Sequence, residues 1–210
     1  MKRVLLAAKV FLVLMCAPFA GGEAAAEKNW YAVLYGGQFA DNSVLGLLTC
    51  QESPNFNTSS KAYEDFEPSY LVAVAVGKEF ARFGRYLGWE LEGQVVKHFG
   101  FQDNMEFNGL LVARWLYFPW NCYLNTSLAL GDGISYATQV PRVEHVNERW
   151  GRSEEKVLNY ILIELALSLP DIPQWSFVTR VHHRSGIFGL LGDNVRGSNF
   201  LCLGLKYTFR

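Results

Sequence analysis

Beyond residue 26 the chain has no apolar run approaching the roughly 18 residues of a membrane-spanning helix, which excludes a helical membrane protein. Cysteine is scarce. Cys16 falls in the leader, and the remaining Cys50, Cys122 and Cys202 are odd in number and irregularly spaced. That spacing suits neither a disulfide framework nor a zinc site, and it allows one bridge at most. An excess of positive charge is missing as well: 19 Lys and Arg face 20 Asp and Glu in 210 residues, for a net charge of −1. Removing 26 leader residues takes away three of the basic residues and one of the acidic ones, and the balance becomes about −3. A nucleic-acid partner is therefore not expected.

What is present begins with the leader itself. Lys2, Arg3 and Lys9 give a basic start, an apolar stretch follows from Val10 to Ala20, and Ala24-Ala25-Ala26 offers a small-residue cleavage site. This is the make-up of a secretory signal peptide. Residues 1–26 are expected to be removed and residues 27–210 to form one domain. Met15 before Cys16 is a poor match to a lipoprotein cleavage site, so no lipid anchor is expected.

Eight stretches of alternating polarity follow, rich in Tyr, Phe and Trp, at about 28–39, 67–80, 84–98, 105–118, 121–133, 155–168, 174–187 and 197–209. Strands of soluble proteins centre on about five or six residues, whereas a tilted strand crossing a bilayer needs about nine to eleven. The faces divide by the two-residue period of β-structure. Leu87, Trp89, Leu91, Gly93 and Val95 oppose Gly88, Glu90, Glu92 and Gln94. Phe107, Leu111, Ala113 and Trp115 oppose Glu106, Asn108 and Arg114. Val157, Ile161, Ile163, Leu165 and Leu167 oppose Tyr160, Glu164 and Ser168. A membrane barrel turns its apolar face to lipid and packs charge into its lumen, and a soluble barrel does the reverse. The leader, the strand length and the aromatic Tyr207-Thr208-Phe209 near the chain end favour the membrane case. Connections of alternating length agree: short at 81–83, around Trp120 and at 170–173, long at 40–66 and 134–154. The expected fold is all-β, an eight-stranded antiparallel transmembrane β-barrel of the outer membrane, its short turns periplasmic. Glu90, Glu92 and Glu164 are expected to meet Arg114, Arg180, Arg184 and Lys206 in the lumen, and Trp30, Trp89, Trp115, Trp120, Trp150 and Trp175 to form interface girdles.

The stretch Phe177-Val-Thr-Arg-Val-His-His-Arg-Ser-Gly-Ile-Phe-Gly189 carries chemistry. Thr179, Val181, His183 and Ser185 share one face, and Arg180, His182 and Arg184 the other. An imidazole and a hydroxyl two residues apart stand side by side, the minimum for an activated serine. In the barrel this pair points at lipid near the outward end of its strand, where polar groups are costly and tend to be functional. The nearest substrate is the glycolipid of the outer leaflet, lipopolysaccharide, with its ester-linked acyl chains.

His183-Arg184-Ser185-Gly186, on the next-to-last strand of a small barrel, resembles the His-x-Ser motif of the PagL family of lipid A 3-O-deacylases, whose eight-stranded fold and signal peptide suit the whole mature chain. The resemblance implies an esterase that removes the acyl chain from position 3 of lipid A, with Ser185 as nucleophile, His183 as base, and no metal. The family's third member is a Glu about a dozen residues after the Ser. Here that region reads Asp193-Asn194-Val195-Arg196-Gly197-Ser198-Asn199, with no Glu. Asn199 shares the outward face with Leu201 and Leu203 and can hold the imidazole's tautomer, though it stabilises imidazolium less than a carboxylate does. Asp193 has the charge but lies in the loop. The family's Asn-Ala after the Ser is Gly186-Ile187 here, and the Gly186 N–H is the expected oxyanion donor.

His98 and His145 are read as surface residues near the loops, and no cofactor is expected. Glu144, Glu148, Glu154 and Glu155, with Arg142, Arg149 and Arg152, make the loop 134–154 charged, for contact with lipopolysaccharide phosphates and their cations or for solvation. Asp132-Gly133 is read as a turn rather than the start of a calcium site. The expected partners are lipopolysaccharide and the outer membrane, and a homodimer is compatible with the reading. Two rivals are a non-catalytic barrel of the OmpA/OmpX type and a palmitoyl transferase-like barrel. The latter would need an acyl cavity inside the lumen, which the expected charges oppose.

Overall fold

The computed structural model describes residues 29–40, 68–144, 155–186 and 197–209. The expected signal peptide, Cys50, His145, Trp150 and Asp193 lie outside them. The alternating stretches become eight strands: β1 (Trp30–Phe39), β2 (Ser69–Phe83), β3 (Leu87–Gly100), β4 (Met105–Trp115), β5 (Asn125–Ala137), β6 (Val157–Ser168), β7 (Trp175–Ser185) and β8 (Ser198–Thr208). Each pairs antiparallel with its chain neighbours, and β1 closes on β8, so the sheet has no edge.

Several boundaries differ by a few residues from the sequence reading, and two of them have a clear cause. β2 runs on to Phe83, past a bulge that leaves Phe80 unpaired, and the reversal falls at Gly84, whose φ of 56° is the conformation glycine adopts without strain. β5 starts at Asn125 and not near 121, because the Asn121 side chain donates to the Leu116 carbonyl and accepts from the Thr126 N–H, holding 116–124 as a turn. Asp132-Gly133 therefore lies within β5 and is not a turn.

Side chains sort as the alternation requires. Leu34, Val74, Leu91, Leu130, Ile134, Leu203 and Leu205 are exposed, while Glu90, Glu92, Arg114, Glu164, Arg180 and Lys206 are buried inside. This inverts the order of a soluble protein and matches a barrel whose solvent is hydrocarbon. Trp30, Trp115, Trp120 and Trp175 stand exposed at the end where the connections are 84–86, 116–124 and 169–174. At the other end the paired rings Tyr70–Phe99 and Phe107–Tyr136 are exposed. Aromatic girdles at both ends mark the two membrane interfaces.

The lumen is filled. Arg114 donates to Glu90 (2.6 and 3.0 Å) and Glu164 (2.7 Å). Arg180 donates to Glu164 (2.6 Å) and Glu92 (2.8 and 3.0 Å). The Tyr31 hydroxyl donates to Glu90 and Glu92 at 2.9 and 2.7 Å. Every buried charge in this layer has an opposite partner, the condition for burying ions at all. Arg184 departs from the expected layer and pairs with Glu144 at 3.1 Å.

Candidate active site on the lipid face

His183 and Ser185 stand on the outward face of β7, at the end away from the short turns, as the period of two requires. Both are half-buried. His183 lies opposite Asn199 on β8, and its Nδ1 is 2.5 Å from Asn199 Oδ1. An amide oxygen can only accept, so the proton of that bond sits on Nδ1 and Nε2 is left as the acceptor. That is the tautomer a general base needs. Among the described residues no hydrogen bond joins Ser185 to His183; catalytic hydrogen bonds are often long before substrate binds. Gly197 leaves room for the ring: a Cβ there would sit 3.1 Å from His183 Cε1 and 2.6 Å from the Arg184 carbonyl oxygen. Gly186 follows directly at the strand end. Asp193 lies outside the described residues.

Two residues that sequence reasoning missed join this face. Asn159 of β6 is directly opposite Ser185. Its Nδ2 donates to Asp132 Oδ1 of β5 at 2.8 Å and to the Gly133 carbonyl at 3.0 Å. Both amide hydrogens are thereby used, and Oδ1 is left to accept. A polar strip thus crosses four strands, from Asp132 through Asn159 and Ser185 with His183 to Asn199. The signal was present in the chain, where Asn159 interrupts the outward series Val157, Ile161, Ile163 and Leu165.

The histidine expected at the surface is buried instead. His98 is 1% exposed, with Nε2 2.9 Å from Glu106 Oε2 and Gln102 Nε2 2.8 Å from its Nδ1. His182 Nε2 lies 2.9 Å from the other Glu106 oxygen, and its Nδ1 is 3.1 Å from the Tyr160 hydroxyl. The inward parity of both strands carries these rings into the lumen, where His98 bonds Glu106 and Gln102, and His182 bonds Tyr160, in place of water. Their ligand atoms lie within 4.8 Å of one another, close enough to hold a metal ion. The Arg184 guanidinium 3.9 Å from Glu106 adds a positive charge beside these atoms, which disfavours a cation there. The cluster therefore reads as a polar plug. Glu144 is a second correction. It is buried rather than solvated, accepting from Arg184 and from the Ser198 hydroxyl at 2.8 Å. Asp132 neither turns the chain nor gathers a calcium site among the described residues, because its carboxylate is taken by Asn159.

A closed eight-stranded barrel with an apolar exterior, aromatic girdles and a charged, filled lumen is a β-barrel of the outer membrane. No family model matches the chain, and no curated protein does. Among solved structures, the outer membrane enzyme PagL is similar over 84% of this chain and 98% of its own, with 11% identity and a TM-score of 0.52. Neisserial surface protein A is similar over 86% of this chain and 97% of its own, with 11% identity and a TM-score of 0.48. At such identities the likeness is one of fold.

Proposed function

We propose that the protein is an outer-membrane serine esterase that removes an ester-linked acyl chain, that at position 3, from the lipid A of lipopolysaccharide. The observation that carries this reading is the His183–Asn199 hydrogen bond on the lipid face, beside Ser185. It orients an imidazole with the proton on Nδ1, in a place where a structural histidine has no reason to be. In the proposed reaction Ser185 Oγ attacks the ester carbonyl carbon while His183 Nε2 takes the hydroxyl proton. The C–O bond to the sugar breaks, and the departing sugar oxygen receives that proton. Water, deprotonated by the same nitrogen, then releases the fatty acid and restores Ser185. The Gly186 N–H is the oxyanion donor in this reading.

The rival reading, a non-catalytic barrel acting in adhesion or envelope structure, is favoured by one observation: the His183 partner is an amide and not a carboxylate. Mass spectrometry of lipid A incubated with the refolded barrel separates the two. The esterase reading expects wild type to remove one hydroxyacyl chain and Ser185→Ala to remove none. Unchanged lipid A in a detergent that keeps the barrel folded assigns the protein to the rival class.

A further inference from the structure

The outward face also carries a furrow in line with Ser185. Ser185 pairs with Asn159, Asn159 with Ile134, Ile134 with Gly109, and Gly109 with Gly93. One straight row therefore crosses β7, β6, β5, β4 and β3. Its far end has no side chains. A Cβ at Gly109 would meet nothing within 4 Å, and one at Gly93 only the Asn108 carbonyl oxygen at 4.0 Å. The space left is a shallow groove of about 500 Å³, walled by Leu91, Leu111 and Ile134, with Asp132 at its near edge. Strands stand about 4.8 Å apart, so the groove's near edge on β5 lies roughly 10 Å from Ser185 and its glycine floor roughly 14 to 19 Å from it, within reach of a long fatty acyl chain.

We infer that this groove binds the acyl chain of the ester that Ser185 attacks, and so selects for chain length; the inference rests on the esterase reading above. The observations converge on one occupant. The groove is apolar and lies in the hydrocarbon zone, which suits a methylene chain. It is collinear with the nucleophile. The strip between them is polar: Asn159, clamped by Asp132 and Gly133, puts an acceptor oxygen one strand from Ser185. Polar side chains on a lipid-facing surface are costly. Here they fall between nucleophile and groove, where the ester and its neighbouring polar groups would lie, and the apolar surface resumes where the tail would run. The chain crosses β5 over Gly133, between the outward side chains of Asp132 and Ile134.

The test compares hydrolysis of myristoyl and butyryl p-nitrophenyl esters by the refolded barrel in detergent micelles, for wild type, Gly109→Leu and Gly93→Leu. Both glycines face outward into open space, so the variants keep the fold, and retained heat-modifiable gel migration verifies it. Filling the groove is expected to lower the myristoyl rate roughly ten- to hundredfold and leave the butyryl rate unchanged. A myristoyl-to-butyryl ratio equal in all three proteins overturns the groove and leaves the esterase standing. That is also the result if bulk lipid, and not the substrate's own chain, fills the furrow. Failure of wild type to hydrolyse either ester overturns both readings.

Discussion

At the scale of single residues, the site turns on what Asn199 does for His183. Its Oδ1 holds the ring at 2.5 Å in the tautomer that carries the proton on Nδ1. It brings no negative charge to balance an imidazolium, and that balance is what a carboxylate would add. Asn199→Asp keeps the shape and supplies the charge, so ester hydrolysis at neutral pH is expected to rise. Asn199→Ala frees the ring to turn and is expected to lower kcat by at least about tenfold, the general-base contribution being about 10²–10⁴-fold. Steady-state rates on one ester check both, and a fall with Asn199→Asp would remove Asn199 from the proposed machinery. Residue types at 183 and 185 were legible in the chain because period-two alternation is local. The partner was narrowed only to Asn199 or Asp193, since which loop or strand atom reaches a ring depends on how β7 and β8 pair.

At the scale of elements, the connection after β5 does more than join strands. Its short 3₁₀ turn, Arg142–Glu144, drops Glu144 into the barrel mouth against Arg184 of β7 and Ser198 of β8. Burial pushes the Glu144 carboxyl up to about 7 from its ordinary 4.5, outweighing the downward pull of the Arg184 guanidinium. The folded state thus prefers Glu144 protonated. Its contribution to stability is whole below pH 4.5 and is lost as pH rises through about 7. The full swing is about 3 kcal/mol. The midpoint of heat-induced gel-shift is therefore expected to fall for wild type between pH 5 and pH 8, and Glu144→Gln, which carries no titrating proton, is expected to flatten that difference. Equal slopes for the two proteins would show that Glu144 is ionised throughout. Sequence reading put this residue in a solvated loop because charge patterns carry no depth; only the turn geometry takes it inward.

At the scale of the whole molecule, stability and chemistry occupy opposite faces of one sheet. The lumen ties β3, β4, β6 and β7 together through Arg114, Arg180, Glu90, Glu92 and Glu164, all buried. Arg180→Ala leaves Glu92 and Glu164 short of a countercharge in a closed interior, and is expected to destabilise the barrel by about 3–5 kcal/mol in urea unfolding, whereas Ser185→Ala is expected to leave the unfolding curve in place. A tolerant Arg180 would mean that water enters the lumen and solvates the acids. The alternation of the chain divided each strand into an apolar and a charged face, because side-chain direction in a strand is set residue by residue; strand length and the aromatic chain end were needed to turn the apolar face to lipid and the charges to the lumen. The alternation did not determine which residues stand abreast. Register is settled by turn geometry and by the closure of β1 on β8, which are nonlocal. That is why only the tertiary structure aligned Asn159, Ile134, Gly109 and Gly93 with Ser185, joined His98 to Glu106 and His182, and set Asn199 against His183.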